Sequence, residues 1–367
     1  MPASRNTYDE LPYESSAIAG TSPIRLALVS ALHGGPRPPV EGFRALELGC
    51  GNGGNLLPLA FYQRGSQFLG VDGSRGAIAS AREAAAELGL DNVRFELMDL
   101  SRPDWLLGER YDYVLIHGVF SWVGDAVRAG ILEVCSACPS PEGLVYLSYN
   151  VRAGWQVRTL VREMLVDAVG RVEPLGERVR QAKELARRLR DAMGESDHAQ
   201  RVQVAWELDR VMRSSDSYLF HEYLLEENRP FHHREVVSML RAQHLAYLCD
   251  SSFNEPAGRE PERVREALDR LEVEGEDREA LADFLGCRTF RSSVFCRAAV
   301  RSPALRGAAL EGIETVFAAS RLRAEKGPPD LTSDDPETFL HPEGATVTAR
   351  GALLKAAVTV LLSLIHI

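Results

Sequence analysis

A glycine-rich turn at residues 45–54 carries the clearest chemical signal in this chain. The segment reads Ala-Leu-Glu-Leu-Gly-Cys-Gly-Asn-Gly-Gly, so a short apolar strand runs directly into a series of glycines. Gly49, Gly51 and Gly53 allow the backbone to turn tightly and leave space for a ligand. Ligands of open α/β sheets bind beyond the carboxyl ends of the strands, and the turn therefore predicts a nucleotide-binding site.

Two carboxylates accompany this turn. Glu47 lies two residues before Gly49, where dinucleotide-binding turns normally have no acid. Asp72 ends the next apolar segment, 19 residues after Gly53. The combination argues against a dinucleotide site.

The surrounding segments predict a parallel sheet that positions these groups. Strand candidates alternate with helical segments such as Ser74 to Leu88, which implies βαβ units. The strand candidates cover residues 45–48, 68–72, 93–100, 111–117 and 143–148.

The pattern Glu-x-Gly-x-Gly-x-Gly from Glu47 to Gly53 resembles motif I of the class I S-adenosylmethionine (SAM)-dependent methyltransferases. The resemblance continues in order through Asp72 and Asp99. It implies that SAM is the cofactor, that Asp72 holds the two ribose hydroxyls, and that Asp99 reads the adenine amino group between two apolar neighbours. Glu47 is expected to orient the glycine loop through backbone amides. The expected cofactor-binding residues are Glu47, Gly49, Cys50, Gly51, Gly53, Asn55, Asp72, Gly73, Asp99, Leu100 and His117.

His117 is the candidate catalytic residue, since it ends the fourth strand beside the expected methyl position. We expect it to form a pocket wall or to act as a hydrogen-bonding residue, and a role as general base is less favoured. A strand-end histidine that touches only the cofactor or the backbone is the alternative. Tyr8 and Tyr13 are expected to form a lid over the cofactor. For the aromatic candidates, ordinary core packing is the alternative. The expected acceptor-pocket residues are Tyr13, Phe120, Trp122, Tyr149, Asn150 and Trp155.

A second resemblance covers the middle of the chain. Residues 217–228 and 244–248 resemble the methyltransferase regulatory domain, and residues 8–13 and 21–26 resemble the lead-in of the same multidomain proteins. That group includes bacterial lysine methyltransferases that modify outer-membrane proteins. Ser22 departs from the pattern, which has histidine before the proline, and this departure puts the substrate class in doubt.

The resemblance implies an α/β fold with a Rossmann-like class I methyltransferase sheet, mostly parallel with the last strand antiparallel. We expect Leu245–Cys249 and Thr289–Cys296 to complete the sheet, because five strands alone would leave an exposed apolar edge. A separate middle domain with its own sheet is the alternative. The expected domains are an N-terminal lead-in and lid (1–40), the SAM-binding domain (41–150), a helical insertion with a possible dimer contact (151–215), the regulatory domain (216–300), and a linker with a truncated C-terminal domain (301–367).

The C-terminal residues carry little functional signal. Residues 327–342 are rich in Pro, Asp, Glu and Thr and predict a linker, and an apolar helix is expected from Thr346. The last residues, 363–367, resemble translated adapter sequence, which leads us to expect a truncated reading frame.

Composition excludes some functional classes. A net charge of −10 argues against a general nucleic-acid clamp, which needs a basic surface. No apolar leader or spanning segment is evident, and we expect a bacterial, cytoplasmic protein without membrane insertion. Cys135 and Cys138 form a C-x-x-C pair, but a second pair is missing, so the six cysteines are expected to be buried, reduced thiols. His221-Glu222 is not followed by a second histidine at zincin spacing, so no metal site is expected.

Three functions remain open from the sequence. The favoured one is methyl transfer from SAM to a protein side chain, with lysine as the acceptor and a homodimer as a possible assembly. Transfer to a small metabolite is the second. A non-catalytic SAM-binding regulator is the third, but it predicts a damaged cofactor site, whereas the glycines and both acids are intact.

Overall fold

The computed structural model describes residues 15–106, 108–195, 197–251, 262–273, 275–300, 322–340 and 346–363. The chain divides into two compact units, Met1–Ala309 and Leu310–Ile367. The expected lid residues Tyr8 and Tyr13 lie outside the described residues. None of the helices within these ranges has the length and apolar character that a membrane span requires.

Seven strands of the first unit form one sheet with helices between them. The strands are β1 (Arg44–Leu48), β2 (Gln67–Asp72), β3 (Val93–Leu97), β4 (Tyr111–Ile116), β5 (Pro139–Asn150), β6 (Leu245–Asp250) and β7 (Phe290–Arg297). The helices are α1 (Pro23–Leu32), α2 (Leu56–Tyr62), α3 (Arg75–Glu87), α4 (Asp125–Ala137), α5 (Arg152–Val169), α6 (Leu175–Met193), α7 (Ala199–Arg213), α8 (Asp216–Leu219), α9 (His233–Ala242), α10 (Glu262–Arg270) and α11 (Gly275–Leu285).

The strand order is β3-β2-β1-β4-β5-β7-β6. Strands β1 to β5 pair in parallel, whereas β7 runs antiparallel to both β5 and β6. The predicted Rossmann-like sheet is therefore confirmed. Residues 245–250 and 290–297 complete it, and each strand boundary lies within one residue of the predicted one. The alternative, a separate middle domain with its own sheet, is wrong.

Both faces of this sheet are buried. Leu46 and Leu48 belong to one core cluster, and Ala45, the residue before Leu46, belongs to the other. This alternation follows from the two-residue period of a strand. In β5 every residue from Leu144 to Asn150 is buried. Two-sided burial explains why the strands read as continuous apolar segments, and it leaves the carboxyl ends of the strands as the place for a site.

The helical insertion has a core of its own. Val161 and Leu165 from α5 pack with Val179 from α6 and Leu208 from α7. Each helix presents one apolar stripe to the others, as bundled helices do. Dimerisation through this insertion stays a prediction.

A buried arginine joins the last two strands to α11. The side chain of Arg291, on β7, is 0% exposed. It donates hydrogen bonds to Asp250 at 2.7 Å, to Asp283 at 3.0 Å and to Glu279 at 2.7 Å. Three carboxylates compensate the desolvation of one guanidinium, whereas an unpaired charge at this depth would be costly. The regulatory segment is thereby tied to the same sheet as the glycine turn.

The second unit differs from the sequence expectation. Strands β8 (Arg323–Ala324), β9 (Glu337–Leu340) and β10 (Thr346–Ala349) form an antiparallel sheet, and helix α12 (Ala352–Ser363) follows. β9 lies inside the predicted linker, and the predicted helix begins six residues later than expected. Strands this short have too few residues to display a two-residue period in sequence.

The cysteine prediction is correct for five residues and wrong for the sixth. None of the six cysteines, all of which lie within the described ranges, forms a disulfide; five are buried, whereas Cys287 is exposed. Cys287 lies in the turn after α11, with a φ of +46°, and the turn keeps its side chain out of the core.

Replacement of Gly130 should test the packing of α4 beneath the site. A Cβ at this position would lie 1.8 Å from the backbone oxygen of Leu100. Gly130→Ala should therefore destabilise the fold by about 1–3 kcal/mol, as overpacking does. Gly176→Ala, at a helical position where no heavy atom lies within 4 Å, is the matched control and should be neutral or stabilising by about 0.4–1 kcal/mol. Thermal unfolding compares the two, and equal melting temperatures would contradict the packing.

Candidate active site

A cavity of about 1340 Å³ lies beyond the carboxyl ends of β1, β2, β4 and β5. The predicted site residues that line it are Glu47, Gly49, Cys50, Gly51, Asn55, Asp72, Gly73, Asp99, Leu100, His117, Trp122, Asn150 and Trp155. Three predicted residues, Gly53, Phe120 and Tyr149, are not among its lining residues. Tyr13 lies outside the part of the chain that the structure describes.

The glycine turn and the carboxylate of Asp72 are in direct contact. The amide of Gly51 donates to Oδ2 of Asp72 at 2.9 Å, and the amide of Ser74 donates to Oδ1 at 2.8 Å. The turn is also joined to β2, because the amide of Gly49 donates to the carbonyl of Val71 at 2.8 Å. The two predicted halves of the site therefore face the same cavity.

The glycines of the turn serve different purposes. Gly49, Gly51 and Gly53 all have positive φ angles, of 73°, 53° and 83°. A Cβ on Gly49 would lie 2.3 Å from Val119, and one on Gly53 would lie 2.8 Å from Phe95. These two glycines make room for protein side chains. At Gly51 the nearest atom would be 3.7 Å away, so this glycine is the one whose missing side chain leaves the cavity open.

Glu47 contacts a side chain instead of the amides of the turn. Its Oε1 accepts from Nδ2 of Asn55 at 2.8 Å. The Oδ1 of Asn55 in turn accepts from the amide of Ile18 and the hydroxyl of Thr21, both at 3.0 Å. Among the described residues, the buried Oε2 of Glu47 has no hydrogen-bond partner. Burial raises the pKa of this carboxyl to about 7. Glu47 thus offers a buried acceptor to a cationic group in the cavity.

Asp99 lies at the exposed rim of the cavity. Its Oδ1 accepts from the hydroxyl of Ser101 at 2.7 Å and from the amide of Ser101 at 2.9 Å. These hydrogen bonds lower the pKa of Asp99, so the residue stays ionised. Met98 and Leu100, on either side, are buried and line the cavity. An acceptor between two apolar side chains suits a planar heterocycle with an amino group.

His117 is held by a buried hydroxyl chain. Its Nδ1 lies 2.8 Å from the hydroxyl of Tyr146, which donates to the hydroxyl of Ser292 at 3.0 Å. The imidazole stacks on Tyr146 and meets the edge of Phe290. The hydroxyl of Tyr146 thus engages Nδ1 of His117. Burial lowers the pKa of His117 to about 4, so the ring is neutral at pH 7.

Phe120 and Tyr149 are core residues, and the alternative stated for them is correct. The ring of Phe120 packs on Phe231 with centroids 5.2 Å apart. The hydroxyl of Tyr149 lies 2.7 Å from Nδ1 of His233. Both side chains are directed away from the cavity by partners from the regulatory segment.

The wall opposite the glycine turn contains residues that the sequence did not single out. Two predicted tryptophans, Trp122 and Trp155, meet there edge to face, with ring centroids 5.8 Å apart. Four further lining residues fall within residues 217–228, so the resemblance over that segment is the sequence signal that identifies this part of the wall. The additional lining residues of this wall are Arg158, Tyr218, His221, Glu222, Leu225, Thr289 and Phe290.

The protonation state of His117 can be measured directly. Its imidazole should stay neutral to below about pH 5, because burial penalises the charged form. Nitrogen chemical shifts of ¹⁵N-histidine in a pH titration report this state, and the signal is assigned by its loss in His117→Gln. Since the folded pKa lies below the unfolded value of about 6.5, the stabilising contribution is complete above that pH and decreases as the pH falls towards 4. A folded-state midpoint near 6.5 would contradict this assignment.

Two family models match this chain. A methyltransferase domain matches residues 46–145, and a predicted methyltransferase regulatory domain matches residues 215–297. The first match contains the glycine turn, Asp72, Asp99 and His117. The second contains β6, β7 and the segment that forms the opposite wall of the cavity.

Several relatives extend over most of the chain. The uncharacterized protein RP789 of Rickettsia prowazekii is 34% identical over 80% of this chain and 53% of its own length, so the chain spans about half of that relative. RP028 of the same organism is 33% identical over 60% of this chain and 88% of its own length. The structure of PKMT2 from Rickettsia typhi in complex with AdoHcy matches 96% of this chain and 68% of that chain, with 27% identity and a TM-score of 0.78. The chain belongs to the family of class I SAM-dependent methyltransferases that carry a methyltransferase regulatory domain.

Proposed function

We propose that this protein transfers a methyl group from SAM to an amine of a protein side chain, with lysine as the acceptor residue. The contact between the amide of Gly51 and the carboxylate of Asp72, at the edge of a large acidic cavity, is the observation that carries this proposal. The likeness to PKMT2, a protein lysine methyltransferase with bound AdoHcy, supports the cofactor and the acceptor.

The residues of the cavity fit SAM. The orphaned Oε2 of Glu47 is a buried acceptor that suits the ammonium of the methionine half. Asp72 suits the ribose hydroxyls, and Asp99 with its apolar neighbours suits the adenine. Gly51 leaves the space that a side chain would fill. Bound SAM supplies a methyl group already activated on a sulfonium, so the protein's own task is to position the acceptor and exclude water.

The acceptor end of the cavity suits an amine that must arrive neutral. Lysine has a pKa near 10.4 in water, and an apolar environment lowers it by penalising the charged form. Trp122 and Trp155 supply such an environment. Two polar groups can orient the acceptor. One is the neutral imidazole of His117, and the other is the carboxamide of Asn150, whose buried Nδ2 has no hydrogen-bond partner within the described ranges.

The size of the cavity favours a macromolecular acceptor over a small metabolite. Pockets for single small ligands measure about 300–1000 Å³, and this cavity exceeds that range. The space suits a cofactor together with an inserted side chain. Tritium-labelled SAM incubated with the full chain and a cell lysate tests the acceptor class: label in the protein fraction supports the proposal, and label confined to small molecules contradicts it.

Asp72→Asn should weaken SAM binding by about tenfold to a hundredfold, because one hydrogen bond to a charged group contributes about 1.5–3 kcal/mol. Calorimetry measures the dissociation constant directly. Asp91→Asn, an exposed change of the same kind outside the cavity lining, is the matched control and should bind SAM like the wild type. Unchanged affinity in Asp72→Asn would remove the ribose assignment.

A further inference from the structure

A π-helical turn brings the regulatory domain into the wall of the cavity. Helix α8 ends at Leu219 and passes into a π-helix, Phe220–Leu224. Such turns are rare and occur frequently at functional sites. Tyr218, His221 and Glu222 from this stretch line the cavity opposite the glycine turn. The methyltransferase domain itself supplies none of these residues.

Two arginines of α5 hold this turn in place. Arg162 donates to the backbone carbonyls of Glu222 and Leu225, the latter at 2.7 Å. Arg158 donates from Nε to Glu207 at 2.9 Å, and its guanidinium lies 4.8 Å from the ring centre of Trp155. The turn is therefore fixed through its backbone carbonyls, and the side chains of Tyr218 and Glu222 line the cavity.

The carboxylate of Glu222 is only loosely paired. Nη1 of Arg158 lies 3.5 Å from its Oε2, beyond an ordinary charge-assisted hydrogen bond. Arg158 is already engaged by Glu207 and Trp155. Within the described chain, the side chain of Glu222 accepts no closer hydrogen bond, although it is only 17% exposed. A carboxylate held this far from bulk water gains from a second cationic partner.

Tyr218 lies beside this carboxylate. The two residues are four positions apart on one helical stretch, a spacing that brings side chains together. Burial raises the pKa of the Tyr218 phenol, and the negative charge of Glu222 raises it further. An aromatic face next to a carboxylate is a combination that attracts an alkylammonium group through both charge and ring.

The charged residues that line the cavity also favour a cationic acceptor. The carboxylates that line it are Glu47, Asp72, Asp99 and Glu222, and the guanidinium among its lining residues is that of Arg158. Three of these acids belong to the end formed by β1, β2 and β3 and are assigned to the cofactor. Glu222 lies beside Arg158, whose guanidinium covers Trp155 after β5. Its charge is therefore not assigned to the binding of SAM.

We propose that Glu222 and Tyr218 form the binding site for the cationic nitrogen of the acceptor and select alkylammonium groups over hydroxyl and carboxylate groups. This inference rests on the proposed function. An ammonium donates to Glu222 and faces the ring of Tyr218 when it enters, and it loses one proton to water before its lone pair attacks the methyl group between Trp122 and Trp155. A hydroxyl brings no charge to offset that of the buried carboxylate, and a carboxylate is repelled by it. Trp122 and Trp155 border the alkyl chain.

The test uses n-butylammonium chloride as a mimic of the acceptor side chain, with the full chain saturated with AdoHcy. Ligand-observed NMR measures its dissociation constant, and n-butanol is the neutral comparison. The wild type should bind n-butylammonium at least fivefold more tightly than n-butanol. Glu222→Gln should lose that preference, whereas Glu226→Gln, the same change at an exposed position of the same segment, should keep it.

The outcomes separate this inference from the function on which it rests. Failure of the wild type to bind AdoHcy in calorimetry overturns the proposed function. Binding of AdoHcy together with equal n-butylammonium affinity in the wild type and Glu222→Gln overturns the inference alone. If thermal unfolding shows that Glu222→Gln is not folded, Tyr218→Leu decides: about a threefold loss of n-butylammonium affinity, with AdoHcy affinity unchanged, supports the site, and no loss overturns it.

Discussion

The hydrogen bond from the amide of Gly51 to Asp72 is the contact on which the site depends. It joins two consecutive turns of the sheet, and the parallel register that pairs Leu48 with Val71 makes it possible. A slip of one residue in that register would turn every side chain of the strand to the other face. The geometry of the cofactor end is therefore a property of backbone pairing, which side chains such as Glu47 and Asp99 then complete.

The regulatory domain is part of the same folding unit, because its strands close the sheet that carries the glycine turn. Arg291 holds it there, because its buried guanidinium donates hydrogen bonds to three carboxylates from β6 and α11. Breaking such a cluster leaves uncompensated buried charge. The segment that contributes the second wall of the cavity is thus attached to the first wall through the core.

Sequence reasoning recovered the features whose chemistry is local. The glycine turn, the acid at the end of β2 and the two strands that complete the sheet follow from the sequence pattern and from the resemblance. The orientation of an aromatic side chain does not follow from local sequence. Tyr149 is a predicted pocket residue, but its hydroxyl contacts the imidazole of His233, which lies 84 residues away in the chain. Glu222 was missed for the same reason, because only its packing against α5 brings a π-helical turn to the cavity. Neither has a periodic signature in sequence.

The cavity lining comes from separate stretches of the chain: residues 46–145 supply the glycine turn and the acids assigned to the cofactor, residues 215–297 supply Tyr218 and Glu222, and Trp155 and Arg158 come from α5 between them. With the acceptor site proposed for Glu222 and Tyr218, target choice is encoded apart from nucleotide binding, as it is when sites are grafted onto a common scaffold. Substitutions in the π-helical turn would then change the preferred acceptor without altering the contacts made to the nucleotide.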